Sequence, residues 1–531
     1  MSIVVSNLSY VLQDGTSIIS NISFSINSKT KCALIGANGC GKSSLINLLA
    51  GNIMPTEGSI SMDDSPYLVP QHYGQYNDFT VSETLGVNSK MTALAAILSG
   101  DSSERNYEII GDDWTIEDDI RNALNSWGLK NVRHNSLIKG LSGGEKTKVF
   151  LAGILLHNPS IILMDEPTNH LDEESCHLLY DFIDNYNGTL LDVSHDRSLL
   201  NRFPTIFELS DKGISRYTMN FEKYCETVDN ENRVLIERTD AIKKDLRKEK
   251  AIAREVTKRQ QKQNSRGQRH SQQKGIARIS MGNLKNHAEN STAKLNNTHQ
   301  NKIESLTNRL SEATSRVKDF NRMAVDFSSS DIHIGKILIE TKCLNHSYSG
   351  NDNLWHSDLS FVIRSGDRIR VTGSNGSGKS SLMKIIMGDL TPSCGSIYRA
   401  GDLKCVYLDQ EYSLIDNGIT ISEQIQQFNN HSLPKHELNI RLNRFLFPES
   451  SWMKHCSALS GGEKMRLALC CLMVADNAPD MIIADEPTNN LDLFNQDILT
   501  DTLRKYSGTL IVISHDSHFV SKLSLNRQIS L

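Results

Sequence analysis

The sequence predicts an α/β fold built twice, with a long α-helical hairpin between the copies. Three observations carry that prediction. Four motifs recur in the same order in both halves of the 531-residue chain. Each glycine-rich motif follows a short apolar run of strand length and opens a helical pattern. Between the halves lies a region nearly free of helix breakers: no proline between Pro204 and Pro392, and no glycine between Gly213 and Gly267 or between Gly282 and Gly335.

The repeat sets the boundaries. Gly36-Ala-Asn-Gly-Cys-Gly-Lys42-Ser43 returns as Gly373-Ser-Asn-Gly-Ser-Gly-Lys379-Ser380, and Leu141-Ser-Gly-Gly-Glu145 as Leu459-Ser-Gly-Gly-Glu463. Asp165-Glu166-Pro-Thr-Asn-His-Leu-Asp172 returns as Asp485-Glu486-Pro-Thr-Asn-Asn-Leu-Asp492, and Ser-His195-Asp as Ser-His515-Asp. The step from aspartate to histidine is 30 residues in each copy. A duplicated domain therefore spans 1–220 and 337–531, with 221–336 as linker.

In the first domain, Lys31–Ile35 reads as a strand and Ser44 onward as a helix. The second domain has Arg368–Thr372 and Ser381 onward in the same places. GxxxxGKS in that setting is a phosphate-binding loop, so both copies are P-loop nucleotide-binding domains. Gly36, Asn38, Gly39, Gly41, Gly373, Asn375, Gly376 and Gly378 offer backbone N–H groups to phosphate, and the helix start at Ser44 and Ser381 favours its charge. Lys42 and Lys379 would reach the β/γ-phosphates of ATP, and Ser43 and Ser380 would hold Mg2+. Asp165 and Asp485 end apolar strands, where such aspartates serve the metal shell. Glu166 and Glu486 beside them can polarise the attacking water, and His195 and His515, each after an apolar strand, can contact the γ-phosphate.

These residues resemble the ABC ATPase superfamily, over about four-fifths of the chain. The resemblance implies that the domains are of ABC type and that two ATP molecules lie between them in a monomer, by intramolecular domain pairing. Ser142, Gly143 and Gly144 would face the nucleotide of the other domain's loop, as would Ser460, Gly461 and Gly462. Gln71 and Gln410 match the Q-loop position, with a possible share in Mg2+ binding, and Tyr10 and Tyr348 match the aromatic that stacks on adenine. The first domain is longer between Gln71 and Ser142 than the second between Gln410 and Ser460, by 21 residues, which predicts a short arm-like insertion around 88–113.

The bulk properties narrow the class. Ten cysteines form no CxxC pair and no metal-ligand spacing, which reads as reduced thiols in a cytoplasmic protein. The N-terminus reads as a strand and not as a signal peptide. The longest uninterrupted apolar run, Leu467–Ala475, is far short of the roughly 18 residues that cross a bilayer.

The linker carries a second signal. Val228, Leu235, Ile242 and Val256 lie at multiples of seven, with Leu246 and Ala253 on the adjoining seam and Glu249 interrupting it. Ile303, Leu306, Leu310, Ala313, Val317 and Phe320 alternate steps of three and four. That is coiled-coil spacing, and it predicts an antiparallel helical hairpin with a polar tip at 264–282. From Ile242 to Lys285 there are 14 Lys and Arg against three acids, in a chain of net charge −5. A basic spike on an acidic protein points to polyphosphate, and the absence of aromatics from the segment favours backbone contact with folded RNA over base stacking. Lys258, Arg259, Lys262, Arg266, Arg269, Lys274 and Arg278 are the candidate RNA contacts.

With this linker the chain resembles the ABC-F class of ribosome-associated tandem ATPases. The resemblance implies binding to the ribosome (50S subunit, rRNA and P-site tRNA) near the tRNA exit site. The linker would approach the peptidyl-transferase centre, in translation regulation or in ribosomal protection against antibiotics. The alternatives are the ATPase subunit of a membrane exporter with separate membrane proteins, which has no use for the basic hairpin, and a DNA-repair ATPase, which would bring zinc sites or far longer coiled coils.

Overall fold

The computed structural model describes residues 2–273, 297–314, 333, 335–348, 353–374, 376–401, 403–429, 433–475 and 479–531. The chain separates into two compact units, one of Met1–Phe221 with Arg322–Leu531 and one of Glu222–Asn321. The first unit contains the duplicated domain.

The core of each copy is a parallel sheet. In the first, Tyr67–Val69, Ile161–Asp165, Thr189–Val193, Lys31–Ile35 and Thr205–Ser210 are neighbours in that order, closed by Gly213–Tyr217 running antiparallel. In the second, the order is Cys405–Leu408, Met481–Asp485, Thr509–Ile513, Arg368–Thr372 and Arg527–Ser530, all parallel. Ile161–Asp165, Thr189–Val193 and Thr509–Ile513 are buried at every residue. Helices cover both faces of such a sheet, so its strands read as continuous apolar runs without alternation. Each copy adds a three-stranded antiparallel sheet, centred on Ile3–Val11 and on Ile337–Asn345.

The strand ends place the chemistry. Lys31–Ile35 and Arg368–Thr372 run into the glycine loops, and helices Lys42–Leu49 and Lys379–Met387 follow. Gly41 and Gly378 precede those helices with φ of 97° and 88°. Only glycine takes that left-handed backbone without strain, so the loop can turn directly into a helix N-terminus. Two helices in the first domain, Asn88–Leu98 and Glu104–Ile110, account for its extra length; among the described residues the second domain has no counterpart between Ile421–Gln427 and Lys435–Arg444.

Among the described residues, the second unit holds helix Phe221–Gln273, which begins in the first unit at Phe221, and a helix over 297–314. Along the first, Val228, Asn232, Leu235, Thr239, Ile242, Leu246, Glu249, Ala253 and Val256 are at least partly buried, and along the second His299, Ile303, Leu306, Leu310 and Ala313. Those positions step by three and four, as one face of each helix turned to the other requires. Glu249, expected to interrupt the seam, is 7% exposed and is held by the opposite arm: His299 Nδ1 lies 2.9 Å from one carboxylate oxygen and Lys302 Nζ donates to the other at 3.1 Å. Val317 and Phe320 lie outside the described residues, as does the tip beyond 273.

Candidate functional site

Both glycine loops wrap their lysines. Lys42 Nζ donates to the carbonyls of Gly36 and Ala37 at 2.9 and 3.1 Å, and Lys379 Nζ to those of Gly373 and Ser374 at 2.7 and 3.0 Å. At the end of the neighbouring strand, Asp485 takes hydrogen bonds from Ser380 Oγ at 3.2 Å and from the Tyr407 hydroxyl at 2.6 Å. Asp165 is 3% exposed, and its Oδ1 has no hydrogen-bond partner among the described residues. A buried carboxylate oxygen beside a serine hydroxyl is an oxygen donor set suited to Mg2+.

Glu166 and Glu486 follow these aspartates with φ of 52° and 46°, a left-handed backbone that non-glycine residues seldom adopt. Each is tied there by its own amide, which donates to the carbonyl of Val193 at 2.7 Å or Ile513 at 2.8 Å. The turn brings each carboxylate to its histidine: Glu166 Oε1 is 3.3 Å from His195 Nε2, and Glu486 Oε1 is 3.4 Å from His515 Nε2. Burial pushes both glutamates up to about 8 and moves both histidines down, His195 well below its ordinary value. The neutral imidazoles retain one N–H donor each, and the glutamates hold protons tightly.

The Leu-Ser-Gly-Gly-Glu segments begin helices Gly143–His157 and Gly461–Val474. Ser142 Oγ accepts from the Glu145 amide while the Glu145 carboxylate accepts from the Ser142 amide at 2.8 Å; Ser460 and Glu463 repeat this. Such a box satisfies two of the orphan donors at a helix start and leaves the glycine amides free for an anion. A cleft of about 710 Å3 joins Ser142, Gly143 and Gly144 of the first domain to Gly376, Gly378, Lys379, Ser380, Ser381, Gln410, Asp485, Glu486 and His515 of the second. Glu166 and His195 line it too.

The first loop is engaged differently. The Asn38 amide donates to the Asp492 carboxylate at 2.9 Å, and the Asn38 side chain to the Asn490 carbonyl at 2.8 Å. The loop thus meets the second domain through Asn490 and Asp492, just ahead of helix Leu493–Lys505, with Gly461 packed near the Asn490 carbonyl. Gln71 sits half-buried just past strand Tyr67–Val69. The two tyrosines also differ. Tyr348 is 69% exposed, lines the cleft and shares a hydrogen bond of 2.8 Å with Ser381 Oγ, whereas Tyr10 packs its ring against the core of the first domain. Tyr348 presents a face that adenine could use; Tyr10 does not present one in the same way. Asn375 lies outside the described residues.

In the second unit, Lys258, Arg259, Lys262 and Arg266 are exposed on helix Phe221–Gln273, with Arg259 also donating to Glu255 at 2.6 Å. The Arg269 side chain, Lys274 and Arg278 lie outside the described residues.

Sequence reasoning passed over several residues that matter here. Asp192, in the middle of strand Thr189–Val193, is fully buried, with no hydrogen-bond partner for either oxygen among the described residues. Burial holds its carboxyl well above the ordinary range, with the charges of Glu166 and Asp165 adding to the effect. An acid inside an otherwise apolar parallel strand was the signal available. Arg197 and Arg370 form ion pairs across the domains, with Asp497 at 2.7 Å and Glu173 at 3.4 Å.

The profile of the ABC transporter family matches residues 19–169 and 356–489, more than half of the chain. The chain is similar to the putative ATP-binding protein YdiF of Bacillus subtilis strain 168, at 28% identity over 542 residues, covering 96% of this chain and 76% of that protein. It is similar to the energy-dependent translational throttle protein EttA of Escherichia coli K12, at 29% identity, covering 96% and 88%. Among solved structures, archaeal ribosome recycling factor aABCE1, crystallised with ribosomal stalk protein aP1, shares the fold with a TM-score of 0.59 at 17% identity, over 99% of this chain and 87% of that one. Two P-loops, two signature helices and two aspartate–glutamate strand ends, matched by that profile and these relatives, make the protein an ATPase: the chain belongs to the ABC transporter family, as a tandem ATPase of the ABC-F class.

Proposed function

We propose that this chain is a cytoplasmic, ATP-dependent ribosome-binding protein. It docks near the tRNA exit site and acts through its helical unit on P-site tRNA and the peptidyl-transferase centre, in translation regulation or in ribosomal protection against antibiotics. The observation that carries this reading is the helix Phe221–Gln273, inserted between two ATPase domains and presenting Lys258, Arg259, Lys262 and Arg266 to solvent. A file of exposed cations without aromatic neighbours suits the phosphate backbone of folded RNA. The similarity to a protein named for translational throttling points the same way.

ATP is held between the domains, the lysine of one loop and the signature amides of the other domain enclosing its phosphates. Ser43 with Asp165, and Ser380 with Asp485, would hold Mg2+, which supplies positive charge to the β/γ-phosphates. Glu166 and Glu486 take the proton of the attacking water, and their strong proton affinity suits a general base working near neutral pH. His195 and His515, uncharged by burial, donate toward the γ-phosphate and stay within reach of the glutamates. Closure on two ATP molecules sets the helical unit against RNA, and hydrolysis releases it.

The test is co-sedimentation of a Glu166→Gln/Glu486→Gln double variant with 70S ribosomes. Removing both bases should lower steady-state ATP turnover by about 10²-fold or more. The variant should accumulate on ribosomes in ATP, leave them as salt rises, and block translation in a cell-free system. Recovery from membranes alone would favour an exporter subunit, and indifference to ribosomes in every nucleotide state would end the ribosomal reading.

A further inference from the structure

Arg197 touches three parts of the molecule at once. It is the second residue after His195 and opens the short helix Arg197–Leu200. The Asp196 side chain fixes that helix start, accepting from the Ser198 and Leu199 amides at 2.8 and 3.2 Å, and Asp196 itself lines the nucleotide cleft. The guanidinium reaches into the other domain and donates to Asp497 Oδ2 at 2.7 Å. It also lies 5.8 Å from the centroid of the Phe221 ring, and Phe221, 3% exposed, is the first residue of the long helix that enters the helical unit.

The duplication does not repeat this arrangement. The second domain has Ser517 where the first has Arg197, and the first has His177 where the second has Asp497, each five residues beyond its motif aspartate. Ser198 and Ser517, neighbouring but not equivalent positions of the two copies, meet across the interface at 3.3 Å, so the two motif ends touch there while only one ion pair is built. Asp497 has a second suitor in its own domain: Lys522 Nζ is 3.9 Å from its other oxygen. Were the domains to part, Asp497 would keep Lys522 and Arg197 would keep Phe221. An ion pair made only across the interface distinguishes two discrete states.

We propose that Arg197 is the positioning residue that couples ATP-driven closure of the two domains to the root of the helical unit, through Asp497 on one side and Phe221 on the other. The inference rests on closure and not on the identity of the partner, so a failure of ribosome binding would leave it standing.

The experiment follows amide hydrogen exchange in the full chain carrying Glu166→Gln/Glu486→Gln, with and without Mg-ATP. ATP should raise protection both in the two glycine loops and over residues 221–235. With Arg197→Met added, the loops should remain protected, while the ATP-dependent gain over 221–235 falls by about tenfold. Arg197→Lys keeps a charge for Asp497 but not the planar stacking on an aromatic face, and should fall between the two. Phe221→Leu keeps the ion pair and an apolar side chain, and should lose the gain over 221–235 without losing closure, read as the distance between spin labels on the two domains. The exchange Arg197→Asp/Asp497→Arg should keep closure and should not recover the gain. An unchanged response over 221–235 in Arg197→Met or Phe221→Leu, or no ATP response there in the parent, would overturn the proposal.

Discussion

Asp192 occupies a strand position that the second domain fills with Val512, in the same register beside the strand that leads to the glycine loop. Enclosed with no hydrogen-bond partner among the described residues, its carboxyl is kept protonated in the folded chain and is ionised in the unfolded chain at neutral pH. Folding therefore takes up a proton there, and the stability associated with it is greatest in acid and is lost as pH rises above the ordinary carboxylate range. Asp192→Val should raise the unfolding free energy of the first domain by about 1–3 kcal/mol at pH 7. The gain should shrink toward pH 5, as chemical denaturation at the two pH values would read. Residues such as Lys42, Asp165 and Glu166 were legible in the sequence because their chemistry needs fixed spacing within a short motif. Asp192 and Arg197 were not, because their meaning comes from neighbours brought in from other strands and from the other domain. Tyr10 shows the same gap: both tyrosines stand near strand ends, and only packing decides which ring faces solvent and which the core.

The helix start at Ser142 was readable as a serine followed three residues later by glutamate, a pattern whose geometry is local. The helical unit was readable in part. Its apolar spacing predicted two paired arms, but Glu249 looked like a flaw because its partners His299 and Lys302 lie 50 and 53 residues away. Hydrogen bonds from His299 and Lys302 hold the Glu249 carboxyl below its ordinary value. A depressed carboxyl contributes stability above its unfolded value and loses it as pH falls through the folded one. Spin labels placed on the two arms should report a sharp separation at neutral pH that broadens only in acid below the ordinary glutamate range, where the depressed Glu249 carboxyl takes up its proton. Glu249→Gln should show the broad distribution already at pH 7, because a neutral amide cannot accept two charge-assisted bonds. An unbroadened Glu249→Gln distribution would mean that the apolar positions alone set the register of the arms.

At the scale of the molecule, the duplication and the extra length of the first domain were legible, and the asymmetry of the interface was not. Matching motifs imply equal sites, yet Asn38 meets Asn490 and Asp492 directly while Lys379 opens onto a broad cleft, and the ion pairs Arg197–Asp497 and Arg370–Glu173 have no symmetry mates, since Ser517 and Ala33 replace the two arginines. Small differences at a few interface positions break the equivalence of sites that share their reacting groups. Both halves also belong to one polypeptide, so each domain meets its mate at an effective concentration set by the tether and not by the solution. Turnover per molecule should consequently hold constant when the purified protein is diluted a hundredfold, and follow one first-order course after rapid mixing with ATP, whereas ATPases that must find a second subunit slow down as they become scarce. An enzyme organised this way would work at full rate as a single copy, which would suit a task performed one target at a time.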